Sequence, residues 1–372
     1  MDTPGAGLGY LRGYNDALVV GLARTLPEFD RAAVAGATGL TPQAVSKVLA
    51  RLTGDGLIEP AGVRRRGVGK PATIYRIVAA SRFAIGVHVA RTGVRLVLTD
   101  LLGTVLGRAR EPLPADFTPD ELLSAVDSGR SVLLRDCPVD PARILGLGLG
   151  MVGPLDHANG IVRDAHRLRH WHDVPLRELA ARRLDLAVHL DKDVTAGVTA
   201  EAWRRGGDFR DGVLIMVESG IGAGLWLGGA AYRGAHTNAG EFGHTVIQFD
   251  GPGCVCGRRG CLEVLHDAAV ARGDVAHAAR LLGAGVVNLL QTTDVGHVVL
   301  AGADLLRHRD VYVPAISAAV RLEVPRADWL TVSVSVSALG GDVIAAGAAM
   351  QVLNAAYGRP SLDRPAAAHD HA

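Results

Sequence analysis

Glu241 to Glu263 reads EFGHTVIQFDGPGCVCGRRGCLE. His244, Cys254, Cys256 and Cys261 fall within eighteen residues. A divalent metal of zinc type takes thiolates and imidazole as a tetrahedral set, and four protein ligands leave no open position for catalysis. Gly251, Gly253, Gly257 and Gly260 lie among these residues and supply the tight turns that let three sulfurs converge. Of the four cysteines in the chain, only Cys137 lies elsewhere. Three reduced thiols without metal are the alternative, but the histidine and the interleaved glycines favour a structural zinc site.

The 372 residues are enough for two or three domains and a large core. Apolar residues make up 48% of the chain, which excludes a disordered polymer. The net charge of +1 hides an asymmetry: residues 1–80 carry ten Lys/Arg against six Asp/Glu. Such a bias points to a nucleic-acid partner. Metal-spaced thiols imply a reducing cytoplasm. No basic-then-apolar leader opens the sequence, and no apolar run reaches the ~20 residues of a membrane helix. The expectation is a soluble cytoplasmic protein with no membrane partner.

Residues 1–13 are glycine-rich and expected to be flexible, and 14–80 form a first domain. Asn15 to Leu26 carries a helical apolar stripe. Asp30 caps a second short helix that Gly39 stops. Thr41 caps a third, with Pro42 at its first position. Val45, Val48, Leu49 and Leu52 make its inward face, while Gln43, Ser46, Lys47 and Arg51 face outward. Two strand-like runs follow, separated by the basic turn Arg64-Arg65-Arg66-Gly67-Val68-Gly69-Lys70-Pro71. The pattern is a helix-turn-helix with a basic wing. Its third helix, with Thr41, Gln43, Ser46, Lys47 and Arg51, would read a major groove, and Arg64, Arg65, Arg66 and Lys70 would neutralise phosphates of double-stranded DNA. A small interaction domain with a solvated basic loop is the alternative.

From Phe83 the period changes to that of strands, first 83–89 and 94–100 in a meander, then a helix from Thr118 to Leu134, a buried strand at 144–150, a helix at 176–184 and a strand at 186–190. Alternating strands and helices make the class α/β. The meander resembles the opening of an actin-like, ribonuclease-H-type lobe. Lobe one is expected at about 81–190 with the C-terminal helices returning to it, lobe two at about 191–302. Residues 360–372 are expected to be a disordered tail.

The run Ala239-Gly240-Glu241-Phe242-Gly243-His244, followed by Cys-x-Cys-Gly-x-x-Gly-Cys-x-Glu, resembles the signature of the ROK family. That family contains sugar kinases, and transcriptional repressors built on the same two-lobed fold behind a winged helix-turn-helix; the Gly-x-Gly-Lys-Pro wing fits the second group. The resemblance implies an 81–359 ROK domain, a homodimer or higher homo-oligomer, and a pocket in which Glu241, His244 and Glu263 contact sugar hydroxyls. Ionised carboxylates accept hydrogen bonds from hydroxyls, and a metal-held imidazole has a fixed tautomer. It also places Asp193 at the family's general base. A solvated loop face is the alternative for the glutamates, and a helix N-cap for Asp193.

Several departures bear on the activity. The first phosphate loop of the kinases is Asp-x-Gly-Gly-Thr, whereas this chain has His88-Val89-Ala90-Arg91-Thr92. Imidazole does not replace a carboxylate for magnesium, which wants oxygen ligands. The second loop opens with Glu218, whose charge repels phosphate, and the adenosine-side motif is reduced to Leu300-Ala301-Gly302. ATP turnover is therefore not expected, and Asp193 is expected to bind a hydroxyl rather than catalyse. Lys192 and Arg167 stand where the resemblance implies sugar-contacting amides. They suggest a negatively charged effector such as a sugar phosphate, unless they point away or neutralise Glu241 and Glu263. The helical segment after Glu263 is short for the family. The expectation is a sugar- or sugar-phosphate-responsive regulator, most simply a repressor, of carbohydrate genes. A sugar kinase with an appended head, and a DNA-binding protein with a decayed pocket, are the alternatives.

Overall fold

The computed structural model describes residues 8–65, 71–164, 168, 170–323 and 331–357. The chain opens with α1 (Leu8–Thr25), the short strand β1 (Phe29–Asp30), α2 (Arg31–Thr38), α3 (Pro42–Gly54), β2 (Ile58–Arg64) and β3 (Ala72–Ile77). The Asp30 side chain accepts from the Ala33 amide, and Gly39 closes α2 at φ 69°. Thr41 accepts from the Ala44 amide ahead of Pro42. Val45, Val48, Leu49 and Leu52 are all buried, each contributing about 1.5–3 kcal/mol of burial. The three strands form one antiparallel sheet in the order β1-β3-β2, completing a winged helix-turn-helix. Helix α1 begins at Leu8, well before Asn15. Gly13 lowers helix propensity by about 1 kcal/mol, too little to stop a helix of this length.

The body repeats one plan twice. Its first half contains β4 (Phe83–Ala90), β5 (Gly93–Asp100), β6 (Val105–Pro112), α4 (Pro119–Asp136) and β7 (Ile144–Met151). Then come β8 (Leu155–Asp156), β9 (Ile161–Asp164), β10 (His172–Val174), α5 (Leu176–Leu184) and β11 (Val188–Lys192). The second half contains α6 (Asp193–Arg205), β12 (Gly212–Val217), β13 (Ile221–Leu227) and β14 (Ala230–Tyr232), then α7 (Leu262–Ala271) and α8 (Val275–Thr293). It ends with β15 (His297–Ala301), α9 (Ala303–Arg307), α10 (Arg309–Glu323), β16 (Ser333–Val336) and α11 (Val343–Tyr357). The sheets run β11-β7-β4-β5-β6 and β14-β13-β12-β15-β16. In both, an antiparallel meander of three strands is extended from its first strand by two parallel ones. This duplicated α/β plan is the actin-like, ribonuclease-H-type architecture. The second sheet extends to Val336, past the boundary expected near Gly302, because β16 pairs in parallel with β15.

Helix α11 returns to the first sheet, and glycines set how closely. A Cβ at Gly86 or Gly148 would run into the carbonyls of Ala345 and Ala348, and one at Gly347 into that of Ala196. Helix α11 therefore lies between sheet and α6 with no side chain intervening at these points. Its far end joins the head: Ala349, Val352 and Leu353 share one buried cluster with Val19, Val20, Ala23 and Leu49. Among the described residues, no helix is long and apolar enough to cross a membrane.

Candidate functional site

The loop between β14 and α7 holds the four candidate metal ligands. His244 closes a single 3-10 turn, Phe242–His244. Isolated bridges pair Val246 with Cys261 and Gly253 with Arg259, folding the loop back on itself. Gly260, at φ 63°, makes the return, and a Cβ there would collide with the Gln248 carbonyl. His244 Nδ1 lies 3.5 Å from Cys254 Sγ, and Cys256 Sγ lies 3.6 Å from Cys261 Sγ. All four ligand atoms are within 4.8 Å of one another. Bonds of about 2.3 Å to sulfur and 2.0 Å to nitrogen place tetrahedral ligands about 3.5–3.8 Å apart, so the residues fit a metal ion. Burial, with the neighbouring thiols, pushes Cys261 up to about 12. The Arg258 amide holds Cys256 below its ordinary value. A metal ion would convert this graded set into thiolates by supplying positive charge.

Two residues past Cys261, Glu263 lies in the first turn of α7, and its Oε2 accepts from the Ile221 amide at 2.9 Å. Across from it, β11 ends and α6 begins at Lys192-Asp193. Lys192 Nζ donates to Glu241 Oε1 at 2.6 Å and to the Ala239 carbonyl at 3.0 Å. Its side chain is 5% exposed, that of Glu241 36%. Lys192 thus neutralises Glu241, one of the two alternatives open from sequence. Asp193 Oδ1 accepts from the Val194 amide at 2.7 Å. Burial holds its carboxyl above the ordinary range, and Glu241 and Glu218 add to the effect against Lys192. The neighbouring Asp191 is fully buried: Arg233 donates to its Oδ2 at 2.9 and 2.7 Å and Gln351 at 2.8 Å. Arg167 falls outside the described residues.

At the segment expected from sequence to correspond to the first phosphate loop, β4 turns directly into β5 at Arg91-Thr92. Arg95 on β5 donates to Glu218 Oε1 at 2.8 Å and to the Gly341 carbonyl at 3.1 Å. His88 Nε2 lies 3.9 Å from Glu218 Oε2. Burial, then the charge of Arg95, pushes His88 down to about 3, so it is neutral. The two lobes are therefore bridged here by the protein's own ion pair. The pairing joins residues 123 apart, and no local pattern in the sequence announces it.

In the head, Gln43 and Lys47 on α3 are exposed, as is Arg65. Thr41 and Ser46 are engaged locally: Thr41 caps the helix, and the Ser46 hydroxyl donates to the Pro42 carbonyl at 2.7 Å. Arg64 lies 3.7 Å from Glu28. Arg51, expected on the outward face, instead pairs with Asp16 on α1 through two nitrogens. The partner is supplied by a helix thirty-five residues away, which the α3 pattern alone does not reveal. Arg66 and Lys70 lie outside the described residues.

The ROK family profile matches residues 84–269, half of the chain. The chain belongs to the ROK family. It is 28% identical over 60% of its length to the xylose repressor of Caldicellulosiruptor bescii, and spans 56% of that repressor. It is 25% identical over 87% of its length to the DNA-binding transcriptional repressor Mlc of Escherichia coli, covering 89% of Mlc. Glucokinases are among its relatives as well. A crystal structure of a ROK family transcriptional regulator, a homologue of Mlc, superposes with a TM-score of 0.75 at 20% identity, over 94% of this chain and 98% of the other.

Proposed function

We propose that the chain is a sequence-specific DNA-binding repressor of carbohydrate genes, controlled by a sugar and braced by a structural zinc at His244, Cys254, Cys256 and Cys261. The observation that carries this reading is a winged head, with Gln43, Lys47 and Arg65 exposed, packed into one core with a sugar-kinase-type body. The third helix enters the major groove and the wing tracks phosphate. Two heads from a homodimer span two half-sites. Asp193, Glu241, Glu263 and the metal-held His244 receive sugar hydroxyls, and Asp193 has no phosphoryl transfer to assist. A kinase reading is opposed by the Arg95–Glu218 pair, which sets a carboxylate where phosphate would have to approach. With Lys192 engaged by Glu241, the described part of the site presents carboxylates, which suits a neutral sugar. A sugar phosphate would call for a further cation, the role that the sequence offers to Arg167.

Selection of random duplexes on the purified full chain, followed by binding titrations with glucose, xylose and their phosphates, tests this. A selected sequence whose affinity shifts with one sugar is the expected result. Each of Lys47→Ala and Arg65→Ala should reduce the salt slope of binding by about one. Failure to enrich any sequence, or sugar-dependent ATP hydrolysis lost in Asp193→Asn, would refute the reading.

A further inference from the structure

Helix α6 starts at the candidate sugar site and ends under the head. Lys192 and Asp193 stand at its first turn, and Trp203 in its last. Arg24, in the last turn of α1, sets its Cζ 3.0 Å from the Trp203 ring centroid, and its Nη2 donates to the Trp203 carbonyl at 3.4 Å. Trp203 Nε1 in turn donates to the Leu102 carbonyl at 3.1 Å, tying the ring to the turn after β5. Among the described residues no carboxylate pairs with Arg24, and its Nε is buried without a partner. Burial pushes its guanidinium down to about 9. A cation kept from water by a ring face and one carbonyl depends closely on where that ring sits.

Nine consecutive residues of α6, Val194 to Ala202, are buried. Moving as a rod, such a helix would carry a displacement from one end to the other. It crosses α11 closely at Ala196, where Gly347 admits backbone against backbone. At 1.5 Å per residue, Asp193 lies about 4.5 Å from that crossing and Trp203 about 10.5 Å on the other side. A rotation about that crossing would move Trp203 roughly twice as far as Asp193. Helix α11 gives the head a second hold, since Val352 and Leu353 pack on it while Gln351 bonds Asp191 beside the site.

We propose that Arg24 and Trp203 form the joint through which the DNA-binding head senses occupancy at Asp193, with α6 acting as a lever about Ala196. They are positioning residues, because neither bonds the groups proposed to hold sugar. The inference rests on the repressor reading above, and its test separates the two. Operator duplexes selected on the wild-type chain are titrated with and without saturating glucose or xylose, for wild type, Arg24→Met, Trp203→Leu and Arg24→Lys. Calorimetry gives the sugar affinity of each.

The wild-type ratio of operator affinities should lie between about 5 and 150. In Arg24→Met and Trp203→Leu the ratio should fall to within about twofold of unity, with sugar affinity and sugar-free operator affinity each held within about twofold. Arg24→Lys keeps a cation over the ring and should keep most of the ratio. A wild-type ratio in both Arg24→Met and Trp203→Leu overturns the joint and leaves the repressor reading intact. Loss of sugar-free operator binding in both also overturns it, since the contact would then merely hold the head together. A wild-type chain that binds sugar with no change in operator affinity removes the repressor reading and this inference together.

Discussion

Breaking the Arg95–Glu218 pair tests whether the lobes are joined by the protein's own charges. The pair spans 2.8 Å, with side chains 24% and 21% exposed. Two unit charges about 4 Å apart at an effective dielectric of 20 attract by about 4 kcal/mol before desolvation is counted. Partial burial offsets much of this, and a hydrogen bond to a charged group contributes about 1.5–3 kcal/mol net. The Gly341 carbonyl keeps one bond to Arg95 when Glu218 is removed, so the lower end of that range applies. A double-mutant cycle with Arg95→Met, Glu218→Gln and the pair, read by urea unfolding, should therefore give a coupling of about 1.5 kcal/mol. A coupling inside the additivity error of about 0.5 kcal/mol would mean that the bridge is incidental and does not count against a phosphate cleft.

Three further outcomes follow from the packing and the charges. Gly347→Ala should lower stability by about 1–3 kcal/mol, because its methyl meets the Ala196 carbonyl; an unchanged melting temperature would contradict the close α6–α11 crossing. The raised carboxyl of Asp193 contributes stability that is full below 3.8 and lost as pH rises through its folded value. Asp193→Asn should therefore gain stability over wild type on going from acidic to neutral buffer, and parallel melting curves for the two proteins would count against the buried carboxyl. Metal analysis should find equimolar zinc in the wild-type chain and a sharply lower content in Cys256→Ser, with a chelator lowering the wild-type melting temperature. Equal metal content in the two would exclude Cys256 as a ligand.

The sequence by itself determined what local chemistry determines. Asp30, Thr41 and Thr118 cap their helices through their own neighbouring amides, so the starts of α2, α3 and α4 were legible from a few residues. The period of Val45, Val48, Leu49 and Leu52 gave the buried face of α3 for the same reason. The clustering of His244, Cys254, Cys256 and Cys261 was readable because all four lie in one loop. Tertiary structure decided which partner each charge takes. Lys192 faces Glu241, Arg51 faces Asp16, Arg95 faces Glu218, and Arg24 lies on Trp203, at separations of 35 to 179 residues. A charged side chain carries no period, and its partner is whichever opposite charge, carbonyl or ring the fold brings alongside. The extension of the second sheet to Val336 was likewise settled by a pairing across a long connection, because a strand of four residues with exposed and half-buried positions has no pattern strong enough to declare itself.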